Sequence, residues 1–365
     1  MEKPQILIVG MGPAGLAASI FLRQLGFNVL AIDRSPHPKL KIGESLPPNA
    51  QSLLEQLGVW DAFCKANHLK CYSNKSAWGT DQLQFHDFIQ QAPGYGWHID
   101  RLAFEQMLIQ RAQQLAVKMY WSTSVDQAQW VDDQWKVVLS SNNQISEHQF
   151  SFLIDASGRN NWLARQLGFE RLYEDRQLAL VAFLQSENRE LEDHSSLLET
   201  HPDGWWYSAK IPDQKLATTF FCQPSPQQKS TWTDPNGWWT LIQTSSQTFR
   251  RLKSADFKLL DSPRFVSADS GIVEKLYGHG WMAIGDAAMT YDPIASHGLM
   301  MAMLSGRDAA KAIEDYFTGK PQAFAIYQDR LFSAYQHYQQ ERKHFYHVEK
   351  RFPTSAYWKA RQIKK

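Results

Sequence analysis

The sequence near the N-terminus places a glycine-rich turn between an apolar run and a helical stretch. Residues 6–9 are apolar, and residues 14–25 have the periodicity of a helix. In such a unit Gly10 permits a tight turn, Gly12 lets the backbone approach a pyrophosphate, and Gly15 lets the helix pack closely on the strand. A strand, a glycine turn and a helix in this order form the dinucleotide-binding fingerprint. The unit therefore predicts an α/β fold.

Two later motifs narrow the choice of nucleotide. A second apolar run, at residues 29–32, ends in Asp33, at the spacing of a carboxylate that accepts a hydrogen bond from an adenosine ribose. The next residue, Arg34, is assigned to the same site. Further along the chain come Asp155-Ala-Ser-Gly158 and Gly285-Asp286-Ala-Ala288. Together and in this order, the three motifs indicate FAD rather than NAD or ordinary turns.

Composition excludes several other classes of partner. The 365 residues include 38 basic and 37 acidic side chains, so the net charge of +1 gives no argument for binding nucleic acid or a membrane surface. We find no apolar stretch of the roughly 18 residues that span a bilayer, and no secretory leader, so we expect a cytoplasmic protein. The 3 cysteines and 12 histidines lack the spacing of metal ligands, and we expect no metal.

The order of the predicted elements indicates a mixed α/β protein of two packed domains. We expect a discontinuous, Rossmann-like FAD-binding domain that carries an inserted antiparallel substrate-binding sheet. The parts are residues 1–67, 99–175 and 267–330 for the FAD-binding domain, 68–98 and 176–266 for the sheet, and 331–365 for a C-terminal helical tail. The basic and aromatic end of the tail is either a solvated helix face or a surface for docking a partner.

Local patterns predict several individual elements. Helical periodicity over residues 100–115 follows Asp100, which we expect to be the N-cap. Alternating apolar and polar residues at 178–183, 205–210 and 238–243 predict strands of the inserted sheet.

The three motifs resemble those of the flavin monooxygenase superfamily, which includes aromatic hydroxylases and flavin-dependent halogenases, over nearly the whole chain. The resemblance implies that Asp286 contacts the FAD ribityl chain. It also implies that a helix beginning near Gly298 directs its positive end at the flavin ring, where it would stabilise anionic reduced flavin. Arg101 matches an arginine that reaches towards FAD, the alternative being a surface arginine. The residues assigned to FAD are Gly10, Gly12, Pro13, Ala14, Gly15, Asp33, Arg34, Gly43, Glu44, Ser45, Arg101, Asp155, Gly158, Gly285, Asp286, Pro293, Gly298, Leu299 and Met300.

Two segments are similar to the active site of flavin-dependent halogenases. Gly43-Glu44-Ser45 resembles the loop that covers the isoalloxazine in those enzymes. Lys75 follows it at nearly the distance of the catalytic lysine of tryptophan halogenases, the alternative being an exposed lysine on a sheet edge. Halogenases also carry Trp-x-Trp-x-Ile-Pro, whereas this chain has Tyr207 and Ala209 before Ile211-Pro212. This motif is therefore not preserved.

The segment expected beside the flavin departs further from the halogenase pattern. Halogenases have Glu-Ser-Thr-Gly, and this chain has Ala295-Ser-His-Gly298, without the carboxylate and the threonine of the halide site. These differences argue against halogenation. His297 is a candidate catalytic residue that moves a proton to or from the substrate or the oxygenated flavin, or it is simply a hydrogen-bonded loop histidine.

The combined motifs most resemble short halogenase-like flavoproteins that mature quinone-containing amine oxidases. The motifs are Gly43-Glu-Ser-Leu-Pro-Pro48, Ser76-Ala-Trp78-Gly79, Gly96-Trp97-His98-Ile-Asp100-Arg101 and Gly204-Trp-Trp-Tyr207. The resemblance implies an FAD monooxygenase that uses a flavin hydroperoxide to hydroxylate a tryptophan of a precursor oxidase, towards its cysteine tryptophylquinone. Its partners would be that precursor protein, oxygen, and an external reductant or reductase. Two alternatives stay open: hydroxylation or halogenation of a free aromatic molecule, and a flavin-containing, chaperone-like binding protein.

Overall fold

The fold combines a parallel sheet with a larger, mostly antiparallel sheet. The computed structural model describes residues 4–38, 41–142, 144–187, 191–295 and 298–362. The strands are β1 (Gln5–Val9), β2 (Asn28–Ile32), β3 (Ser45–Leu46), β4 (Leu69–Cys71), β5 (Ser73–Ala77), β6 (Gln84–Asp87), β7 (Gly96–His98), β8 (Lys118–Tyr120), β9 (Thr123–Val131), β10 (Gln134–Ser141), β11 (Gln144–Phe150), β12 (Phe152–Asp155), β13 (Arg171–Asp175), β14 (Leu178–Gln185), β15 (Ser196–His201), β16 (Gly204–Ile211), β17 (Lys215–Cys222), β18 (Lys258–Leu259), β19 (Arg264–Ser267), β20 (Ser270–Val273), β21 (Tyr277–Gly278), β22 (Trp281–Ala283) and β23 (Met289–Thr290).

Helices connect and cover these strands. They are α1 (Pro13–Gln24), α2 (Ala50–Leu57), α3 (Trp60–Lys65), α4 (Arg101–Gln114), α5 (Trp162–Gln166), α6 (Pro226–Thr233), α7 (Pro235–Ile242), α8 (Gln247–Ser254), α9 (Gly298–Phe317), α10 (Ala323–Val348) and α11 (Ala356–Gln362). Short 3-10 turns occupy Gly158–Asn160, Gly285–Ala287 and Pro293–Ala295. Within the described ranges, no helix is both long and apolar enough to cross a membrane.

The first sheet has the order β21-β22-β12-β1-β2-β8, and β1, β2, β8, β12 and β22 run parallel. Its central strands are buried and apolar, because helix α1 packs against β1 and β2 and the three-stranded sheet β11-β10-β9 packs against β1 and β12. The register pairs Val9 with Asp155 and Asp155 with Ala283. The carboxyl ends of β1, β12 and β22 therefore meet, and the three motifs that follow these strands converge at one edge. This arrangement confirms the Rossmann-like expectation.

The second sheet has the order β18-β14-β17-β16-β15-β5-β6, and β19 also pairs with β14. Its inner face packs, through Tyr207 and Leu198, with Ile42 of the Gly43 loop and Ile294 of the segment before α9. Its outer face packs through Trp206 against the helices that follow β17. Because side chains alternate along a strand, neighbouring residues of β16 face either the site or these helices.

One predicted strand is a helix. Residues 238–243 were expected in the sheet, but most of them belong to α7. The Asp234 carboxylate accepts from the N–H groups of Asn236 and Gly237, and Pro235 occupies the first turn. A capping aspartate followed by proline favours a helix start over a strand. The apolar pattern reflects one buried helix face, which includes Trp238, rather than a two-residue alternation.

The C-terminal helices close over the inner face of the second sheet. Trp358 of α11 is fully buried, and its indole N–H donates to the His201 carbonyl over 2.8 Å. Its ring also contacts those of Trp78 and Tyr346. The predicted tail is thus part of the protein core, and Tyr346, Tyr357 and Trp358 are buried in it.

Candidate active site

The glycine turn after β1 is shaped to receive a phosphate. Gly10 has φ +110°, and a Cβ there would lie 2.3 Å from the Ala156 carbonyl oxygen. A Cβ at Gly12 would meet nothing within 4 Å, so the turn opens outward at that residue. Helix α1 begins at Pro13 without a side-chain cap. Free N–H groups at this helix start, beside open space, fit the pyrophosphate of FAD. Ala14 and Gly15 continue the helix into the core.

Asp33 lies next to this turn at the end of β2. One carboxylate oxygen accepts from the Met11 N–H over 2.9 Å, and the other accepts from the Ser35 N–H over 2.8 Å. A cleft of about 420 Å³ adjoins it, lined by Pro36, His37, Pro38, Gln106, Ile109, Gln110 and Trp121. An oriented carboxylate near a cleft whose lining includes Trp121 fits the adenosine half of FAD. Arg34 is exposed at the same edge.

The second motif forms a turn at the end of β12. Asp155 is fully buried, and its carboxylate accepts from the N–H groups of Ser157 and Leu163 over 2.9 and 2.8 Å. Burial raises the pKa of this carboxyl group. Gly158 has φ +70°, and a Cβ there would point into open space. Asp155 thus shapes the turn, whereas Gly158 borders the site.

The third motif lies beside the start of α9. The Gly285 N–H donates to the Ser305 hydroxyl of α9 over 2.8 Å. A small cavity is lined by Gly285, Asp286, Ala288, Met289, Tyr291, Gly298, Met301, Ala302, Ser305 and Leu331. Asp286 is partly exposed, and one of its oxygens lies 3.6 Å from Nε of Arg159. Arg159 follows Gly158 directly and is a site residue that the sequence analysis did not assign. Leu299 is buried and Met300 is half-buried in the first turn of α9.

Hydrogen bonds from the Arg101 side chain hold the Gly43–Ser45 loop in place. Its guanidinium donates to the carbonyls of Ile42 and Gly43 over 2.9 and 3.0 Å, and to the Glu105 carboxylate over 2.7 Å. Arg101 is buried, so it is not a surface arginine. It supports the loop expected to cover the flavin, and its contribution to the FAD site is through that loop.

Tyr207 joins this loop to the second sheet. Its hydroxyl lies 2.7 Å from the Ser45 hydroxyl, and burial and the nearby Glu44 carboxyl group raise the pKa of Tyr207. Glu44 is buried, and burial raises the pKa of its carboxyl group, while Tyr207 and the Gly43 N–H oppose that shift. A tryptophan at residue 207 would have no hydroxyl for these contacts. The departure from the halogenase motif therefore has a structural consequence.

Lys75 does not lie on the same face of the second sheet as Tyr207. The register pairs Lys75 with Leu197 and Leu197 with Ser208, which places it on the outer face of the second sheet. Its ammonium group lies 2.9 Å from the Asp193 carboxylate. Burial would raise the pKa of Asp193, but Arg251, Ser195 and Lys75 lower it to about 2. This placement gives a catalytic lysine no support, because the inner face is the one that packs near Ile42 and Ile294.

The segment before α9 begins with a buried aspartate that the sequence analysis did not assign. Asp292 precedes Pro293, and its carboxylate accepts from the Ile294 N–H over 3.0 Å. Pro293 is half-buried in the following turn, and Gly298 is exposed at the start of α9. The catalytic candidate His297 and its neighbour Ser296 lie outside the described residues. No group of side chains suited to a metal ion occurs in the ranges that the structure covers.

A family model described as an FAD binding domain matches residues 3–339. The chain belongs to this family of FAD-binding proteins. Its cofactor is therefore FAD, as the three motifs predict, and its open glycine turns and Asp33 fit that group.

Relatives of this family extend over most of the chain. LodB of Marinomonas mediterranea, named as an FAD-dependent oxidoreductase, is 24% identical and covers 99% of this chain and 97% of its own length. A tryptophan 2-halogenase of Chondromyces crocatus is 25% identical over 87% of this chain, which spans only 62% of that enzyme. The chain is an FAD-dependent oxidoreductase of the halogenase and hydroxylase type.

Solved structures share the fold. The flavin-dependent halogenase CmlS superposes with a TM-score of 0.89 at 25% identity, covering all of this chain and 68% of that one. The peptidyl tryptophan dihydroxylase QhpG, described as essential for tryptophylquinone cofactor biogenesis, has a TM-score of 0.77 at 20% identity. The superposition covers 99% of this chain and 79% of QhpG.

Proposed function

We propose that the protein is a monooxygenase that hydroxylates a tryptophan side chain in a precursor of a quinoprotein amine oxidase. The observation that carries the proposal is the inner face of β16. It presents Tyr207, hydrogen-bonded to the loop at the flavin, where halogenases present a tryptophan. The sequence of the segment before Gly298 also lacks the residues that bind halide in halogenases. Oxygen transfer to an aromatic ring is the chemistry that these differences favour.

The residues of the chain would bind the cofactor and exclude water from the reaction. Bound FAD, once reduced by an external donor, supplies the activation of molecular oxygen. The glycine turn at Gly12 and the carboxylate of Asp33 would hold its pyrophosphate and adenosine. The N-terminus of α9 at Gly298 would favour negative charge on the ring system. Burial raises the pKa of the Glu44 carboxyl group, which would lie in the loop over the ring system.

The exposed edge of the second sheet supports a protein substrate over a small molecule. Strand β6 ends the strand order, and its residues are exposed. Three large apolar side chains of this region are also exposed, namely Tyr72, Phe85 and Ile89, at 56%, 59% and 83%. An exposed edge with apolar side chains is suited to contact another protein. LodB is similar to this chain over 97% of its own length.

The proposal is tested by incubating the FAD-loaded protein with a precursor amine oxidase, a flavin reductant and air, followed by peptide mass spectrometry. We expect added oxygen on one tryptophan, absent when FAD or the reductant is omitted. The matched control is the same precursor with that tryptophan changed to phenylalanine. An unmodified precursor, under conditions in which the flavin is reduced and reoxidised, would contradict the proposal.

Halogenation is the second candidate, because CmlS and the tryptophan 2-halogenase are similar to the chain. The same incubation with chloride or bromide, using free tryptophan and a phenol as further substrates, separates the two. A halogenated product that requires halide would establish the second function. Oxygenated product at the same yield with and without halide would establish the first.

A further inference from the structure

Asp292 accepts hydrogen bonds from several elements at once. Its first carboxylate oxygen accepts from the Ile294 N–H in the segment that leads to α9. Its second accepts from Nε of Arg342 over 3.0 Å, the Tyr346 hydroxyl over 2.9 Å and the Gln177 amide over 3.0 Å. Arg342 and Tyr346 belong to α10, and Gln177 immediately precedes β14. Asp292 therefore joins the segment beside the flavin to the C-terminal helices and the second sheet.

A second carboxylate ties the same helices to a separate three-stranded sheet, β13-β20-β23. Asp175 at the end of β13 pairs with Arg342, and it accepts from Arg361 of α11 over 2.8 Å. The side chains of Arg342, Asp175 and Asp292 are 7%, 8% and 0% exposed. Two carboxylates and two guanidiniums thus balance in charge inside the protein. Removing either carboxylate leaves one buried positive charge without compensation, which is strongly destabilising.

We propose that Asp292 is a positioning residue for the flavin, which fixes the segment before α9 by binding it to the C-terminal helices. The inference rests on the proposed placement of the flavin ring at the start of α9. The physical reason is that the two carboxylate oxygens of Asp292 bind different parts of the protein. One oxygen fixes the backbone at Ile294, and the other is immobilised by buried donors of α10. Asp175 shares the ionic network, and its side-chain partners in the described part of the chain are Arg342 and Arg361 rather than this segment.

This difference provides a matched pair of variants. Asp292→Asn and Asp175→Asn each remove one negative charge from the same network, so both should lower the unfolding midpoint by similar amounts. We expect Asp292→Asn to raise the FAD dissociation constant about tenfold, a change of roughly 1.4 kcal/mol. We expect Asp175→Asn to leave it within about twofold. Hydrogen exchange at the Ile294 amide of the FAD-free protein should accelerate more in Asp292→Asn than in Asp175→Asn.

These measurements need no substrate, so they are independent of the hydroxylation test. Equal effects of the two variants on FAD affinity and on Ile294 exchange would overturn the proposal and leave Asp292 a purely structural residue. If Asp292→Asn does not fold, Tyr346→Phe removes one donor to Asp292 and keeps the charges. It should weaken FAD binding about threefold, and an unchanged affinity with unchanged exchange at Ile294 would overturn the proposal equally.

Discussion

The Tyr207 hydroxyl lies 2.7 Å from the Ser45 hydroxyl, and this contact joins the middle of β16 to the loop that covers the flavin in related enzymes. The buried Glu44 carboxyl group of the same loop lies near enough to Tyr207 to raise the pKa of its hydroxyl, which burial raises as well. The second sheet and the loop are thereby coupled through one side chain. Removing this hydroxyl would therefore take away one direct hydrogen bond between the sheet and the loop.

Tyr207→Phe should separate this contact from ring packing. The substitution keeps the ring and removes the hydroxyl, at a cost of about 1 kcal/mol for the lost hydrogen bonds. We expect kcat for oxygenated product to fall roughly fivefold, with more hydrogen peroxide released per FAD oxidised and little change in KM. Tyr173→Phe, at an exposed tyrosine, is the control. Unchanged product yield and peroxide release would show that the hydroxyl has no part in the reaction.

Two glycines of the first turn should respond to substitution in opposite ways. Gly12→Asp places a good N-cap residue where a Cβ has free space, so the FAD-free protein should keep its stability. Its carboxylate would repel the pyrophosphate, and we expect FAD affinity to fall at least about 100-fold, or roughly 2.7 kcal/mol. Gly10→Ala should instead destabilise the fold itself by about 2 kcal/mol or more, because of its φ of +110° and the Ala156 carbonyl. Calorimetric unfolding and FAD titration of both variants check this pair.

Lys75→Met tests the position of the candidate lysine. The variant keeps the aliphatic chain near Phe85 and loses the ion pair with Asp193, which is partly exposed and should contribute less than about 1 kcal/mol. Because Lys75 lies on the outer face, we expect turnover within about twofold of the unmodified protein. A loss of product of about 100-fold with intact FAD binding would instead place Lys75 in the reaction.

His98 should make the protein less stable in mild acid. It is fully buried beside Ser196, and burial and Arg251 lower its pKa from 6.5 to about 3. Below about pH 6.5 the unfolded chain binds a proton that the folded protein does not bind until about pH 3. Stability therefore falls as pH falls across this range, by up to about 1.4 kcal/mol per pH unit.

His98→Asn removes this titration while keeping a hydrogen-bonding side chain. Urea unfolding at pH 7 and pH 5 should show a smaller pH dependence in the variant. The control is His337→Asn, since that imidazole is 74% exposed. An identical pH dependence in the His98 variant and the unmodified protein would contradict the assignment.

The parts of the site that follow a strand directly were predictable from sequence. Gly10, Asp155 and Gly285 each end an apolar strand, and parallel pairing brings such ends together. The Asp100 cap of α4 is likewise a local signal, and the structure confirms it. Asp234 and Pro235 mark the start of helix α7. The apolar spacing of residues 238–243 also fits a strand, and the prediction of a strand followed that spacing.

The remaining contacts join residues that lie far apart in the sequence. Asp292 and Arg342 form a buried ion pair although α9 lies between them in sequence. No local pattern shows that a basic residue of a long amphipathic helix is buried against a particular carboxylate. The sheet face on which Lys75 lies depends on the register of β5 against β15. The number of residues between the Gly43 loop and Lys75 does not determine that register.

The alternation of faces along β5 has a consequence for redesign of this scaffold. The register pairs Asn74 with Ser196 and Ser76 with Leu198, so both half-buried polar residues share the face of Tyr207. A basic side chain engineered at residue 74 or 76 would lie on the face of Tyr207, whereas Lys75 lies on the outer face. Moving a lysine by a single position along this strand would therefore transfer its charge from the outer face of the sheet to the face that carries Tyr207.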